Sequence, residues 1–411
     1  MRNQKAGMAF ILITVFIDMI GIGIVFPILP QLIASFTNND VSAAAQYYGY
    51  FVALYAAMQF LFAPVLGSLS DQVGRRPVLL VSLLGAGLDY ALLAFAPTLW
   101  LLFVGRIIAG VTAASFTVAN AYIADVSPPE KRAQNFGMIG AAFGLGFIVG
   151  PLLGGTLGVL GPRVPFMVAG LLTIINWLYG YFVLPESLAK ENRRPFSLRN
   201  ANPLGSIRAL GRYPFVLSLS AATVCSSLAQ QGLISVWVLY TTYRYGWDSL
   251  QQGLSLAVVG VVSVVMQGGL VGVILPRIGE RRALVAGLIT SLIGLILYGA
   301  APEGWMMYAI IAGTALSSLA GPAAQGMISN AVKPDEQGTI QGALTSILSL
   351  TGVIGPVMAT AVFAYFTAPE QAVHVPGAPF FLGAGLTVVA LFFVARTLQR
   401  FPQKAAVAAQ S

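Results

Sequence analysis

The chain has 411 residues, of which 57% are hydrophobic and only 9% charged, against roughly 25% charged in ordinary soluble domains. So little charge leaves almost nothing polar to turn toward water, which excludes an aqueous fold and indicates a polytopic membrane protein. The net charge of +8 does not by itself point to nucleic acid, since its distribution decides what it meets.

One cysteine, Cys225, and one histidine, His374, give no basis for a disulfide framework, a thiolate metal site or a His-based zinc site. Neither a metal nor a cofactor is expected. The first apolar run starts near Gly7, lasts to about Ala34 and lacks a small-residue cleavage site, so it reads as a spanning helix and not a signal peptide. At about 20 apolar residues per crossing, the chain divides into twelve spans at 7–34, 46–68, 78–96, 98–124, 133–160, 164–184, 213–242, 250–274, 282–301, 304–330, 337–366 and 377–398.

With Met1 in the cytoplasm, 19 of the 22 Lys and Arg residues fall inside, Arg163 and Arg244 fall outside, and Arg106 is intramembrane. The positive-inside rule then expects both termini in the cytoplasm. Spread over the cytoplasmic segments, the basic charge has a topological origin, and no nucleic-acid partner is expected.

The longest polar connector, Pro185 to Arg212, divides the spans six and six and raises the question of duplication. Gly67 and Gly272 each open a cytoplasmic turn, Gly74 and Gly279 follow, and Gly150-Pro151 has its match in Gly355-Pro356. All three matches share an offset of 205 residues. The fold class expected is an all-α membrane protein of twelve transmembrane helices in two six-helix bundles, 1–184 and 213–411, joined by a linker over 185–212.

Between the second and third spans stands G-S-L-S-D-Q-V-G-R-R-P, Gly67 to Pro77. Gly67 lets the helix end approach a neighbour closely, and Gly74 permits a φ > 0 turn. Asp71 faces Arg75 or Arg76, or sits at a helix N-terminus whose positive end favours an anion. For the arginines alone, a purely topological role competes with gating. The degenerate echo at Gly272 to Arg282 favours a hinge.

Three ionisable residues lie inside apolar runs: Asp18, Asp89 and Arg106. A charge at the bilayer centre costs about 2.5–3.5 kcal/mol on insertion scales, and its default reading is functional. Asp18 is roughly 17 Å deep at 1.5 Å per residue, near the midplane. Asp89 and Arg106 sit at similar depth on consecutive spans and can pair, either as a static tie or as part of a proton site. Desolvation and a neighbouring Arg act on a buried carboxylate in opposite senses, so its proton affinity responds to conformation.

In the fifth span, Gly146, Gly150 and Gly154 recur every four residues and form a groove for close helix packing. Pro151 removes a backbone hydrogen bond, and the run closes on Gly155. The combination suggests a rocking seam. Gln59, Asn120, Gln230, Gln231, Gln267 and Gln325 are uncharged polar residues within spans; they line a cavity or bond helix to helix. Trp237 and Tyr240 read as aromatic-belt residues. No G-x-x-x-x-G-K-[ST] loop is present, so ATP is not the expected energy source and an ion gradient is.

These residues resemble the major facilitator superfamily. The Gly67 stretch looks like its signature between helices two and three, Arg106 with Gly110 like its fourth-helix R-x-x-x-G, and G-x-x-x-G-P-x-x-G-G from Gly146 like its fifth-helix antiporter motif. Within it, the chain resembles the bacterial tetracycline-proton antiporters and related drug exporters. Further likeness lies in F-I-D-M-I-G-I-G-I-V-F-P-I-L-P from Phe16, A-L-Y-A-A-M-Q-F-L-F-A-P from Ala53 and G-V-I-G-P from Gly352. The resemblance implies proton coupling by Asp18, Asp89 and Arg106. It implies a cytoplasmic gate of Gly67, Asp71, Gly74, Arg75 and Arg76 with Asp125 as partner, and a drug-facing Gln59. Where that family carries a histidine and an aspartate in its eighth and ninth spans, this chain has Ser263 and Ser291, so proton handling rests on the N-terminal half.

The expected function is a proton-coupled multidrug or tetracycline-like efflux antiporter working by alternating access. Its expected partners are a small amphipathic substrate, protons and the lipid bilayer, and its expected state is a monomer in the bacterial inner membrane. A proton-linked or facilitative importer of a small metabolite and a non-transporting membrane receptor are the alternatives. Accumulation along the proton gradient would establish the first, and measurable counterflow would dismiss the second. An enzyme is not expected, for want of a nucleophile, base or metal cluster.

Overall fold

The computed structural model describes residues 2–113, 115–128, 131–193, 195, 210–333 and 336–401, and among them every regular element is helical. This is what an apolar chain must do in lipid, where each backbone N–H and C=O needs a partner within its own segment. The helices are α1 (Arg2–Phe36), α2 (Val41–Val73), α3 (Arg75–Phe95), α4 (Leu99–Thr112), α5 (Ser115–Val126), α6 (Arg132–Gly158) and α7 (Val164–Val183). After the connector follow α8 (Pro214–Tyr245), α9 (Ser249–Val265), α10 (Val271–Ile278), α11 (Glu280–Ala300), α12 (Gly304–Gly313), α13 (Ala320–Asn330), α14 (Gln337–Thr367) and α15 (Ala378–Arg400).

Among the described residues, eleven helices are long and apolar enough to cross a membrane, or twelve spans when the pair bent by 43° around residue 314 counts as one. Twelve spans and an all-α fold are thus as the sequence indicates. The boundaries drift where hydropathy is a poor guide. Predicted at 46–68, α2 runs on to Val73, because Asp71 and Gln72 stay helical until Gly74 adopts φ 113°. Two spans read from the sequence as single helices are broken: α4 gives way to α5 at Ala113, and α12 reaches α13 through a 3₁₀ turn at Ala315–Leu319. These are the fourth and tenth spans. Between α9 and α10, Met266–Leu270 forms a π-helical turn, a feature often found at functional sites.

The helices gather into two compact units. One comprises Met1–Asp40, Leu54–Asn202 and Trp247–Gly260; the other comprises Val41–Ala53, Pro203–Gly246 and Val261–Ser411. The first has a core of Phe10, Ile11, Leu79, Leu83, Tyr122 and Ile123, and the second one of Val216, Leu219, Ala283, Leu288, Ala323 and Ile340. Lipid is as apolar as these side chains, so close packing and small residues, more than the hydrophobic effect, hold each unit together. Of the connector, residues 194 and 196–209 lie outside the described residues, and so do Arg194, Arg199, Arg208 and Lys404.

Candidate functional site

Asp89 on α3 and Arg106 on α4 form a two-pronged ion pair. Arg106 Nε donates to Asp89 Oδ1 at 3.1 Å and Nη2 meets Oδ2. Their side chains are only 3% and 9% exposed. Room for the carboxylate comes from Gly105, where a Cβ would lie 2.7 Å from Asp89 Oδ1. The guanidinium also lies 5.7 Å from the Tyr55 ring of α2, within cation–π range.

Asp18, on α1, is half-buried. One turn along, the Tyr90 hydroxyl sits so close to Gly21 that a Cβ there would be 2.2 Å away. Tyr90 follows Asp89 directly in the chain, and Tyr55 lies under Arg106. Tyr90 therefore packs beside Asp89 in the chain and against the α1 turn that carries Asp18, a proximity that spacing did not reveal because Tyr is a common core residue.

The glycine stripe of α6 packs on the stretch of α1 that carries Asp18. A Cβ on Gly146 would stand 2.5 Å from Met19 Cβ, one on Gly150 2.6 Å from the Ile20 carbonyl oxygen, and one on Gly154 2.8 Å from that of Ile24. Gly155 faces elsewhere: its Cβ would come within 2.4 Å of the Ser249 carbonyl oxygen, and Gly253 meets the Pro151 carbonyl in the same way. α6 continues through Pro151 without interruption.

Toward the ends of α2 and α3, Arg75 is 10% exposed and held by three partners. Asp71 Oδ1 is 2.6 Å from Nη1, Asp125 Oδ2 3.2 Å from Nε, and Ser70 Oγ accepts from Nη1 at 2.6 Å. Of the possibilities for Asp71, the partner is Arg75. Arg76 turns away from both acids and donates to the Tyr181 carbonyl at 2.6 Å, its guanidinium 5.7 Å from that ring. Gly74 takes the left-handed φ expected of it, whereas a Cβ on Gly67 would meet only Thr117 at an ordinary 3.8 Å. The close approach expected at Gly67 is not found.

Glu186, just beyond α7, was not singled out by its sequence context. Its carboxylate accepts the backbone N–H of Arg75 at 2.8 Å and of Arg76 at 3.2 Å. The only sequence signal is an acid directly after the sixth span, 111 residues from its partner.

Of the polar residues within spans, Gln59, Gln230, Gln267 and Gln325 are exposed, while Asn120 and Gln231 are half-buried. Gln325 donates to Gln341 at 2.5 Å, and Gln231 packs on Gly355. Gln267 belongs to the π-helical turn. Trp237 and Tyr240 are buried, the first edge-on to Tyr298 and the second donating to the Tyr298 carbonyl at 2.9 Å. They are core residues, which corrects the aromatic-belt reading. Ser263 and Ser291 are half-buried.

The profile described as Major Facilitator Superfamily matches residues 11–356 and 219–411. The class C tetracycline resistance protein of Escherichia coli is 42% identical over 391 residues, covering 95% of this chain and 96% of that protein. The class B protein of Escherichia coli is 38% identical, with 86% and 87% covered. Among solved structures, the human organic anion transporter MFSD10 aligns with TM-score 0.69 at 24% identity over 95% of this chain and 99% of its own. The nucleoside transporter NupG aligns with TM-score 0.77 at 13% identity over 97% and 99%. Both likenesses are of fold.

Proposed function

We propose that this chain, which belongs to the Major Facilitator Superfamily, exports small amphipathic drugs of the tetracycline kind in exchange for protons, by alternating access. The observation that carries the proposal is the charge cluster of the N-terminal half. Asp89 is committed to Arg106 in a buried two-pronged pair, while Asp18, half-buried and a few residues away through Tyr90, is the group that takes up and releases the proton. Protonation removes a charge that costs about 2.5–3.5 kcal/mol in the membrane interior, so the proton-loaded and drug-loaded forms favour different facings.

The proposal places two six-helix halves, 1–184 and 213–411, about the linker, with both termini in the cytoplasm of a bacterial inner membrane. The distribution of 19 of 22 basic residues supports this orientation. The Gly146–Gly150–Gly154 stripe ties α6 to α1 as one body. Asp71, Arg75 and Asp125 latch the cytoplasmic end. Gln59, Asn120, Gln231, Gln267 and Gln325 supply polar contacts to the drug. The protein works as a monomer and catalyses no covalent chemistry.

In everted membrane vesicles, a respiration-generated pH gradient is expected to drive uptake of radiolabelled tetracycline, and a protonophore to abolish it. Protonophore-insensitive uptake, or accumulation of substrate by intact cells along the gradient, would contradict the proposal.

A further inference from the structure

We infer that Glu186 is a positioning residue of the cytoplasmic latch, acting through Arg75, and that the start of the connector belongs to the gate. The inference rests on reading Asp71, Arg75 and Asp125 as that latch. Gly74 precedes α3 without any side chain to cap it, so the first amides of the helix need an acceptor from elsewhere. Glu186 provides it. Its Oε1 accepts from Arg75 N–H at 2.8 Å and its Oε2 from Arg76 N–H at 3.2 Å. The same Oε1 accepts from the N–H groups of Ser187 and Leu188 at 3.0 and 3.1 Å, which fixes the carboxylate within its own turn.

Three further contacts seat this turn on the latch. Ser187 Oγ donates at 3.1 Å to Asp125 Oδ2, the oxygen that Arg75 Nε reaches at 3.2 Å. The Tyr122 hydroxyl, three residues before Asp125, donates to the Pro185 carbonyl at 3.0 Å. Leu184 and Leu188 are buried on either side. The connector thus holds both halves of the Arg75–Asp125 ion pair, one by its backbone and the other by its carboxylate. Gly74 is part of the same fit: a Cβ there would lie 2.3 Å from Glu186 Oε2 and displace the carboxylate. At the matching turn of the second half, a Cβ on Gly279 would meet nothing within 4 Å. Among the described residues, no carboxylate stands at Gly279 as Glu186 does at Gly74.

When the latch opens and Arg75 leaves, Ser187 keeps Asp125 oriented and Glu186 keeps the α3 terminus in register, so re-closure is fast. Loss of the clasp slows turnover without changing the drug site. The test is tetracycline transport in everted vesicles by Glu186→Ala and Glu186→Gln, each alone and with Asp125→Asn, alongside thermal unfolding in detergent. Glu186→Ala is expected to lower Vmax about tenfold with KM unchanged, and Glu186→Gln, which keeps one acceptor, to lower it less. Because Glu186 acts through the latch, Glu186→Ala adds no further loss to Asp125→Asn. Independent, multiplying losses would overturn the inference. So would a Glu186→Ala protein with lowered thermal stability but wild-type Vmax, since that is what a plain helix cap would give. Wild-type turnover by Asp125→Asn alone would sink the latch reading itself, whatever Glu186 does.

Discussion

Arg75 and Asp125 meet at 3.2 Å; Glu280 and Asn330, each 205 residues further on, also meet at 3.2 Å. Offset and distance are shared, but the chemistry is not. The first pair is an ion pair around an arginine that is 10% exposed, with Asp71 and Ser70 closing round it. In the second, an amide donates to a carboxylate and Pro276 stands where the first half has Asp71. The same contrast runs into the membrane, where Asp89 has Gly294 as its counterpart. The two stretches share positive-φ glycines (Gly74 at 113°, Gly279 at 79°), while the ion pairs stand in the first alone among the described residues.

Substitutions at matched positions should separate the two copies, and the largest effect is expected in the membrane. Asp89→Asn strands a buried guanidinium, a loss of about 3–5 kcal/mol, visible as a lowered thermal unfolding temperature in detergent. Removing the pair together, Asp89→Leu with Arg106→Met, should recover much of the stability but not transport. Next come the paired glycines of the fifth and eleventh spans. Gly150→Ala pushes a methyl to 2.6 Å from the Ile20 carbonyl oxygen and is expected to cost about 1–3 kcal/mol as overpacking. Gly355→Ala brings its methyl to 2.7 Å from Gln231 Cβ, an atom that moves only with its backbone, so a comparable fall in unfolding temperature is expected.

At the cytoplasmic turns, Gly74→Ala combines a left-handed φ, worth about 1–2 kcal/mol, with a clash against Glu186; Gly279→Ala carries the φ cost alone. The expected order in transport assays is a marked loss for the first and a mild one for the second. Equal losses would show that the two turns serve alike. Smallest of all, Glu280→Gln removes a charge that accepts from the exposed Asn330 amide and should change stability by about 0.5 kcal/mol or less, with efflux near wild type.

Much of this was legible in the sequence for physical reasons. A charge inside an apolar run stands out, so Asp18, Asp89 and Arg106 could be named, and equal depth on neighbouring spans was enough to pair the last two. Glycine spacing gave the α6 stripe, because every fourth residue shares a helix face. What escaped notice depends on side-chain direction or on distant residues. Arg76 looks equivalent to Arg75 in a string of letters, yet one helical step of about 100° sends it to Tyr181 instead of Asp125. Tyr90 and Tyr55 resemble any other core aromatics until Gly21 and Arg106 are seen against them. The breaks in α4–α5 and α12–α13 fall in runs with no proline at the break, so hydropathy reads straight through them.

The central claim is that a single half of the molecule handles the proton, through Asp18. Its most direct measurement is tetracycline transport by Asp18→Asn in proteoliposomes with an imposed pH gradient, with energy-independent counterflow recorded on the same vesicles. The account predicts that gradient-driven transport disappears while counterflow persists, because the drug site and the rocking halves remain and only the proton carrier is lost. Undiminished gradient-driven transport by Asp18→Asn would contradict it.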